Sequence, residues 1–110
     1  MYEDVGDNFT LNNNYRLANG DYKTFVRIGN MCFLSGRISV TNVNAWSHNI
    51  GKVSKYLPKA TASGGGAFQT TAGVVESNIK TTVTPDGGVY ATIKSSMAPL
   101  VINVSVFWQF

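Results

Sequence analysis

Reactive side chains are scarce in this chain of 110 residues, which has one histidine (His48), one cysteine (Cys32) and six carboxylates. A His/Cys zinc site needs three or four such ligands and a two-histidine motif needs two, so neither can be assembled. A Ser-His-Asp arrangement is formally possible around His48, but no G-x-S-x-G nucleophile elbow occurs. Glycoside hydrolysis needs two carboxyls held across one bond. Glu3, Asp4, Asp7 and Asp21 crowd the start, Asp86 falls in a turn and Glu76 beside a strand pattern. The run Gly64-Gly65-Gly66 lacks the Lys-Ser/Thr ending of a phosphate loop and reads as a flexible loop or bulged bend. The expectation is a protein that is not an enzyme and needs no cofactor or metal.

What remains is a cluster suited to binding. Asn44, Ala45, Trp46, Ser47, His48 and Asn49 place an aromatic ring, an imidazole and planar amides within six residues. A saccharide needs a flat apolar ring against its C–H face and amides, hydroxyls or charges against its hydroxyl groups. The candidate ligand-binding set is therefore Trp46, His48, Asn44 and Asn49, with Tyr56, Arg37 and Asp86, and more weakly Tyr22 and Tyr90, as secondary members. The competing reading makes Trp46 a core anchor and His48 an exposed neighbour.

The elements that must position these residues are strands. Val, Ile and Thr number 28 against five Leu and two Glu, and 11 Gly with 11 Asn supply turns. β-branched side chains lose rotamer freedom in helices and pack well on pleated sheets. YKTFVRI and MCFLSGRISV flank Gly29-Asn30, a hairpin signal. In the first run Tyr22, Thr24, Val26 and Ile28 oppose Lys23, Phe25 and Arg27. Strands are expected near 46–53 and 67–72, with Pro58 breaking pairing between them. Residues 79–84 and 89–94 alternate around Pro85-Asp86-Gly87-Gly88, and the final run sets Ile102, Val104, Val106 and Trp108 on one face. Seven or eight short strands make an antiparallel β-sandwich, jelly-roll-like, over residues 15–110. Residues 1–14, ending Asn12-Asn13-Asn14, read as a lead-in and as a candidate end of a neck.

Aromatic residues fall on both faces of the closing strand. Phe107, with Phe25 and Phe33, leaves surplus apolar surface, to be covered by a second sheet or by another subunit. Cys32 excludes an internal disulfide and reads as a small buried hydrophobe. No apolar run approaches the ~20 residues of a spanning helix, and the acidic start is not that of a secretory signal. The first 21 residues carry four acids against Arg16, whereas the remainder carries eight Lys and Arg against two acids. A basic body can attract polyanions, which admits a nucleic-acid-binding barrel as a minor alternative. The expected partners include no nucleic acid and no membrane insertion.

The stretch YKTFVRIGNMCFLSGRISV, with R-x-G-N followed by F-L-S-G-R-I, resembles a pattern in tailed bacteriophages. It is similar to the carboxy-terminal receptor-binding domains of tail-fibre, baseplate and minor structural proteins of phages infecting Gram-positive bacteria. Leu57-Pro58, the turn Pro85-Asp86-Gly87 and a hydrophobic final strand follow in the same order. The usual continuation after Leu-Pro is replaced here by KATASGGG. The resemblance implies a homotrimeric head at the virion tail tip or baseplate, beside other tail proteins, binding host cell-wall saccharide. The alternative within that setting is a structural or assembly protein with no ligand of its own.

Overall fold

The hairpin of residues 22–40 frames the molecule. The computed structural model describes residues 2–41, 47–70, 75–76, 79–93 and 99–110. Among these are twelve strands: β1 (Tyr2–Asp4), β2 (Phe9–Leu11), β3 (Tyr15–Arg16), β4 (Tyr22–Ile28), β5 (Met31–Val40), β6 (Ser47–Val53), β7 (Ala62–Gly64), β8 (Gly66–Thr70), β9 (Val75–Glu76), β10 (Ile79–Val83), β11 (Gly88–Ile93) and β12 (Pro99–Gln109). One sheet runs β1-β4-β5-β12-β8-β9, with β3 also on β5, and the other runs β2-β6-β11-β10-β7. Every pairing is antiparallel. The all-β sandwich expected from composition is the observed architecture. Its strand number exceeds seven or eight because β1, β2, β3, β7 and β9 are two or three residues long, too short for alternation to reveal.

The expected hairpins are present. Ile28 pairs with Met31 around Gly29-Asn30, and Val83 pairs with Val89 beyond the turn at Asp86-Gly87. Between the sheets lie Phe25, Leu34, Ile38, Ile50, Val89, Ile93 and Ile102, all essentially sealed from solvent. Phe25 packs on Trp108 at 5.7 Å between ring centroids. Phe25 is thus core rather than surplus surface, and Tyr22, Thr24 and Ile28 on the other side of β4 face outward. Cys32 is fully buried, and burial pushes its thiol up to about 11.

One expectation about irregular segments is revised, and the bend expected at the triple glycine acquires a definite form. The described part of the expected lead-in, residues 2–14, is built into both layers, with β1 on β4 and β2 on β6, and Val5 and Phe9 lie in the core. Two apolar residues among acids and amides are too few to reveal this from sequence. The triple glycine is a corner where the chain leaves one sheet (β7) and enters the other (β8). A Cβ on Gly64 would overlap the Ser105 carbonyl oxygen, and one on Gly66 that of Asn103. Gly65 accepts hydrogen bonds from Thr81 Oγ1 (2.9 Å) and Ser105 N (3.2 Å). Strands that switch sheets need such bends, and here the β12 backbone passes too close for a side chain.

Candidate functional site

The outer face of the five-stranded sheet carries a groove of about 220 Å³ lined by Asn12, Asn49, Gly51, Lys52, Asp86, Gly88 and Tyr90. Local backbone irregularity creates it. Tyr90 lies opposite Asn49 and Val89 opposite Gly51, so Ile50 is an extra residue in β6. This bulge keeps Ile50 in the core while Asn49 and Lys52, three residues apart, both reach solvent. Asn12, just past β2, closes one side. Its amide donates to the Asn49 carbonyl oxygen (3.0 Å), and its own N–H donates to the Ile50 carbonyl oxygen (3.0 Å).

Tyr90 supplies the apolar element. A Cβ on Gly88 would lie 2.7 Å from Tyr90 Cε2 and 3.0 Å from its hydroxyl oxygen. The ring therefore extends along β11 and covers the glycine, a posture that a side chain at position 88 would prevent. Asp86 supplies a fixed charge at the far rim. Its Oδ1 accepts from the Thr84 hydroxyl and from Gly88 N (3.1 Å). The Thr84 hydroxyl first, then the Gly88 N–H, hold its carboxyl below the ordinary range, with the positive charge of Lys52 adding to the effect. At neutral pH the groove thus presents an aromatic ring, two amides, an ammonium and a carboxylate.

The sequence candidates divide among several places. Asn49, Asp86 and the weaker candidate Tyr90 meet in this groove. Trp46 and Asn44 lie outside the described residues. His48 must be corrected as a surface ligand contact, because it points inward from β6 and is completely buried. Its Nδ1 shares a 2.8 Å hydrogen bond with the Tyr15 hydroxyl, and the two rings meet edge to face. Arg37 forms an ion pair with Asp21 at 3.2 Å and does not line the groove.

Tyr56 also serves the fold. Its carbonyl oxygen accepts from Trp108 Nε1 (2.7 Å), its hydroxyl donates to Glu3 (2.7 Å), and Arg27 lies 5.0 Å from its ring. The groove residues not anticipated are Asn12, Lys52 and the two glycines. The amide run at 12–14 and a glycine two positions before an aromatic on one strand face are the signals that could have marked them.

A wider concavity is lined by Asp4, Gly6, Asp7 and Lys23. The Lys23 ammonium is engaged by the carbonyl oxygens of Gly6 and Phe9, and among the described residues no aromatic ring lines that site. Among the described residues no group of three His, Cys, Asp or Glu is placed to hold a metal ion.

No known family, characterised protein or solved structure matches this chain.

Proposed function

We propose that the chain is a saccharide-binding domain that attaches a virion tail tip to host cell-wall polysaccharide. The observation carrying this reading is the Tyr90 ring laid over Gly88 in a groove edged by Asn12, Asn49, Lys52 and Asp86. Such a ring accepts the C–H face of a pyranose, while amides and charges exchange hydrogen bonds with its hydroxyls. The groove is shallow and open, suited to a chain of sugars rather than an enclosed small molecule. A site of this kind binds weakly, near ~1 mM or about −4 kcal/mol. Several copies on one virion raise avidity by ~10²–10⁴ without new contacts.

The test is binding of the purified chain to cell-wall polysaccharide from Gram-positive bacteria, by calorimetry or surface immobilisation. Tyr90→Ala is expected to weaken binding at least tenfold while melting stays within a few degrees of the parent. Undiminished binding by that folded variant overturns the groove as the site. The second reading, a virion structural protein without a ligand, is favoured by the exposed aromatic pair Phe33 and Phe107. It predicts no saccharide binding by the parent chain.

A further inference from the structure

The turn leading into β4 holds two reactive groups that neither the core nor the groove uses. Asn19-Gly20 is the one Asn-Gly step in the sequence. It forms the tip of a β-turn in which Asp21 N donates to the Ala18 carbonyl oxygen (2.9 Å). Gly20 has φ +87°, the value of the third position of a type II turn, which suits glycine. Both tip residues are exposed, and nothing lies within 4 Å of the place a Gly20 Cβ would take. The Asn19 side-chain amide and the Gly20 N–H have no hydrogen-bond partner among the described residues. An electrophilic carbonyl carbon and the neighbouring backbone nitrogen are thus uncovered and unengaged.

We propose that Asn19 is a self-modifying site, which loses its amide to attack by the Gly20 nitrogen and passes to aspartate and isoaspartate. The Gly20 nitrogen bonds to the Asn19 side-chain carbonyl carbon, and the bond from that carbon to the amide nitrogen breaks. The amide nitrogen leaves as ammonia, taking the proton that Gly20 loses. Water then opens the five-membered imide. Opening at the side-chain carbonyl leaves aspartate; opening at the main-chain carbonyl leaves isoaspartate, whose backbone runs through Cβ and is one atom longer. Asparagine amides are among the thermolabile groups of proteins. Glycine at position 20 has no Cβ to crowd the approach and leaves the backbone free to swing into it.

Asp86-Gly87 has the same spacing, and Gly87 has φ +95°. There both groups are engaged. Asp86 Oδ1 accepts from the Thr84 hydroxyl and from Gly88 N (3.1 Å), and Gly87 N donates to the Thr84 carbonyl oxygen (2.8 Å). A carboxyl kept ionised by those donors is also a poor electrophile. The groove residue is therefore protected where the tip residue is not.

The consequence reaches past the tip. Ala18 N donates to Asp21 Oδ2 (2.8 Å) across this turn, and the same oxygen accepts from Ser39 Oγ (2.6 Å) in β5. An isoaspartate inserts an extra backbone atom between residues 18 and 21 and spoils the spacing on which both turn bonds depend. Aspartate at 19 keeps the backbone length and leaves those bonds in place.

The experiment is ageing of the purified full chain in warm buffer at pH 8, read by peptide-mapping mass spectrometry and by enzymatic methylation of isoaspartate. Conversion at residue 19 is expected at least tenfold faster than at any other asparagine, with no isoaspartate at residue 86. Asn19→Ser is expected to abolish the early methylation signal. The isolated form with isoaspartate at position 19 is expected to melt several degrees below the fresh chain, whereas Asn19→Asp melts within a degree or two of it. An Asn19 that stays intact, or conversion that appears first at another asparagine or at Asp86, overturns the proposal. An isoaspartate form that melts like the fresh chain overturns the coupling to Asp21.

Discussion

Removing the Asp21 carboxylate is expected to cost more than any other single change of a charged residue among those described. Its side chain is 3% exposed. Oδ2 accepts from Ala18 N (2.8 Å) and Ser39 Oγ (2.6 Å), while Oδ1 faces Arg37 Nε at 3.2 Å. Hydrogen bonds to a charged group contribute ~1.5–3 kcal/mol each, a figure that includes the cost of leaving the donor unpaired. Arg37 is 40% exposed, so that pair adds only ~0–1 kcal/mol after solvent screening. The two lost hydrogen bonds amount to ~3–6 kcal/mol, and relief of the carboxylate's burial cost offsets part of this. Asp21→Ala should therefore destabilise by about 2–4 kcal/mol, which at ~4 °C per kcal/mol lowers melting by roughly 8–16 °C. Asp21→Asn keeps an acceptor and should lose about half as much.

The effect has a definite pH dependence. Burial raises the Asp21 carboxyl, but Ser39, the Ala18 N–H and the charge of Arg37 outweigh it and leave the folded value below the ordinary one. A carboxyl depressed in the folded state contributes stability that is complete above its unfolded value, ~3.9, and is lost as pH falls through the folded value. In calorimetric scans the gap between parent and Asp21→Ala should be full at pH 7 and shrink below about pH 4. A gap under ~0.5 kcal/mol at pH 7, the level of an ordinary surface substitution, would refute this account. A gap unchanged at pH 2.5 would refute the charge-dependent part.

Three further outcomes are expected. Deleting residues 1–11 removes Val5 and Phe9 from the core, each worth ~1.5–3 kcal/mol, and the ladders on β4 and β6; cooperative unfolding by urea should disappear. Gly64→Ala should cost about 1–3 kcal/mol through overlap with the Ser105 carbonyl, seen as a lower urea midpoint, and an unchanged midpoint would remove the tight-corner explanation. With its thiol raised to about 11 by burial, Cys32 should resist iodoacetamide at pH 8 in the native chain and react once unfolded. Rapid native labelling would show that the core opens there.

How much was legible in the sequence follows from the physics of each element. The hairpins at 22–40 and 79–93 could be read because period-2 alternation and turn chemistry agree over many residues. Alternation gives two faces but does not say which one is inside. The first run therefore left Phe25 assigned to the wrong side, a choice made by contact with Trp108 from the far end of the chain. Residues 2–11 could not be placed because strands of three residues show no period, and Val5 and Phe9 acquire meaning only between two sheets. His48 sat among amides and serine, which suggested a surface site, yet Tyr15 supplies the partner that lets an imidazole be buried. The groove was half legible: Asn49, Asp86 and Tyr90 were candidates by residue type. The bulge that sends Lys52 to the same face as Asn49 depends on cross-strand register, which no local pattern encodes.

The most direct test of saccharide binding in the Tyr90 groove is a titration of the isotopically labelled chain with cell-wall polysaccharide fragments, followed by amide NMR shifts. Saturable shifts concentrated at Asn12, Asn49, Lys52, Gly88 and Tyr90, absent in Tyr90→Ala, are the predicted result. Saturable shifts confined to the Phe33–Phe107 face, or none at millimolar fragment, would contradict it.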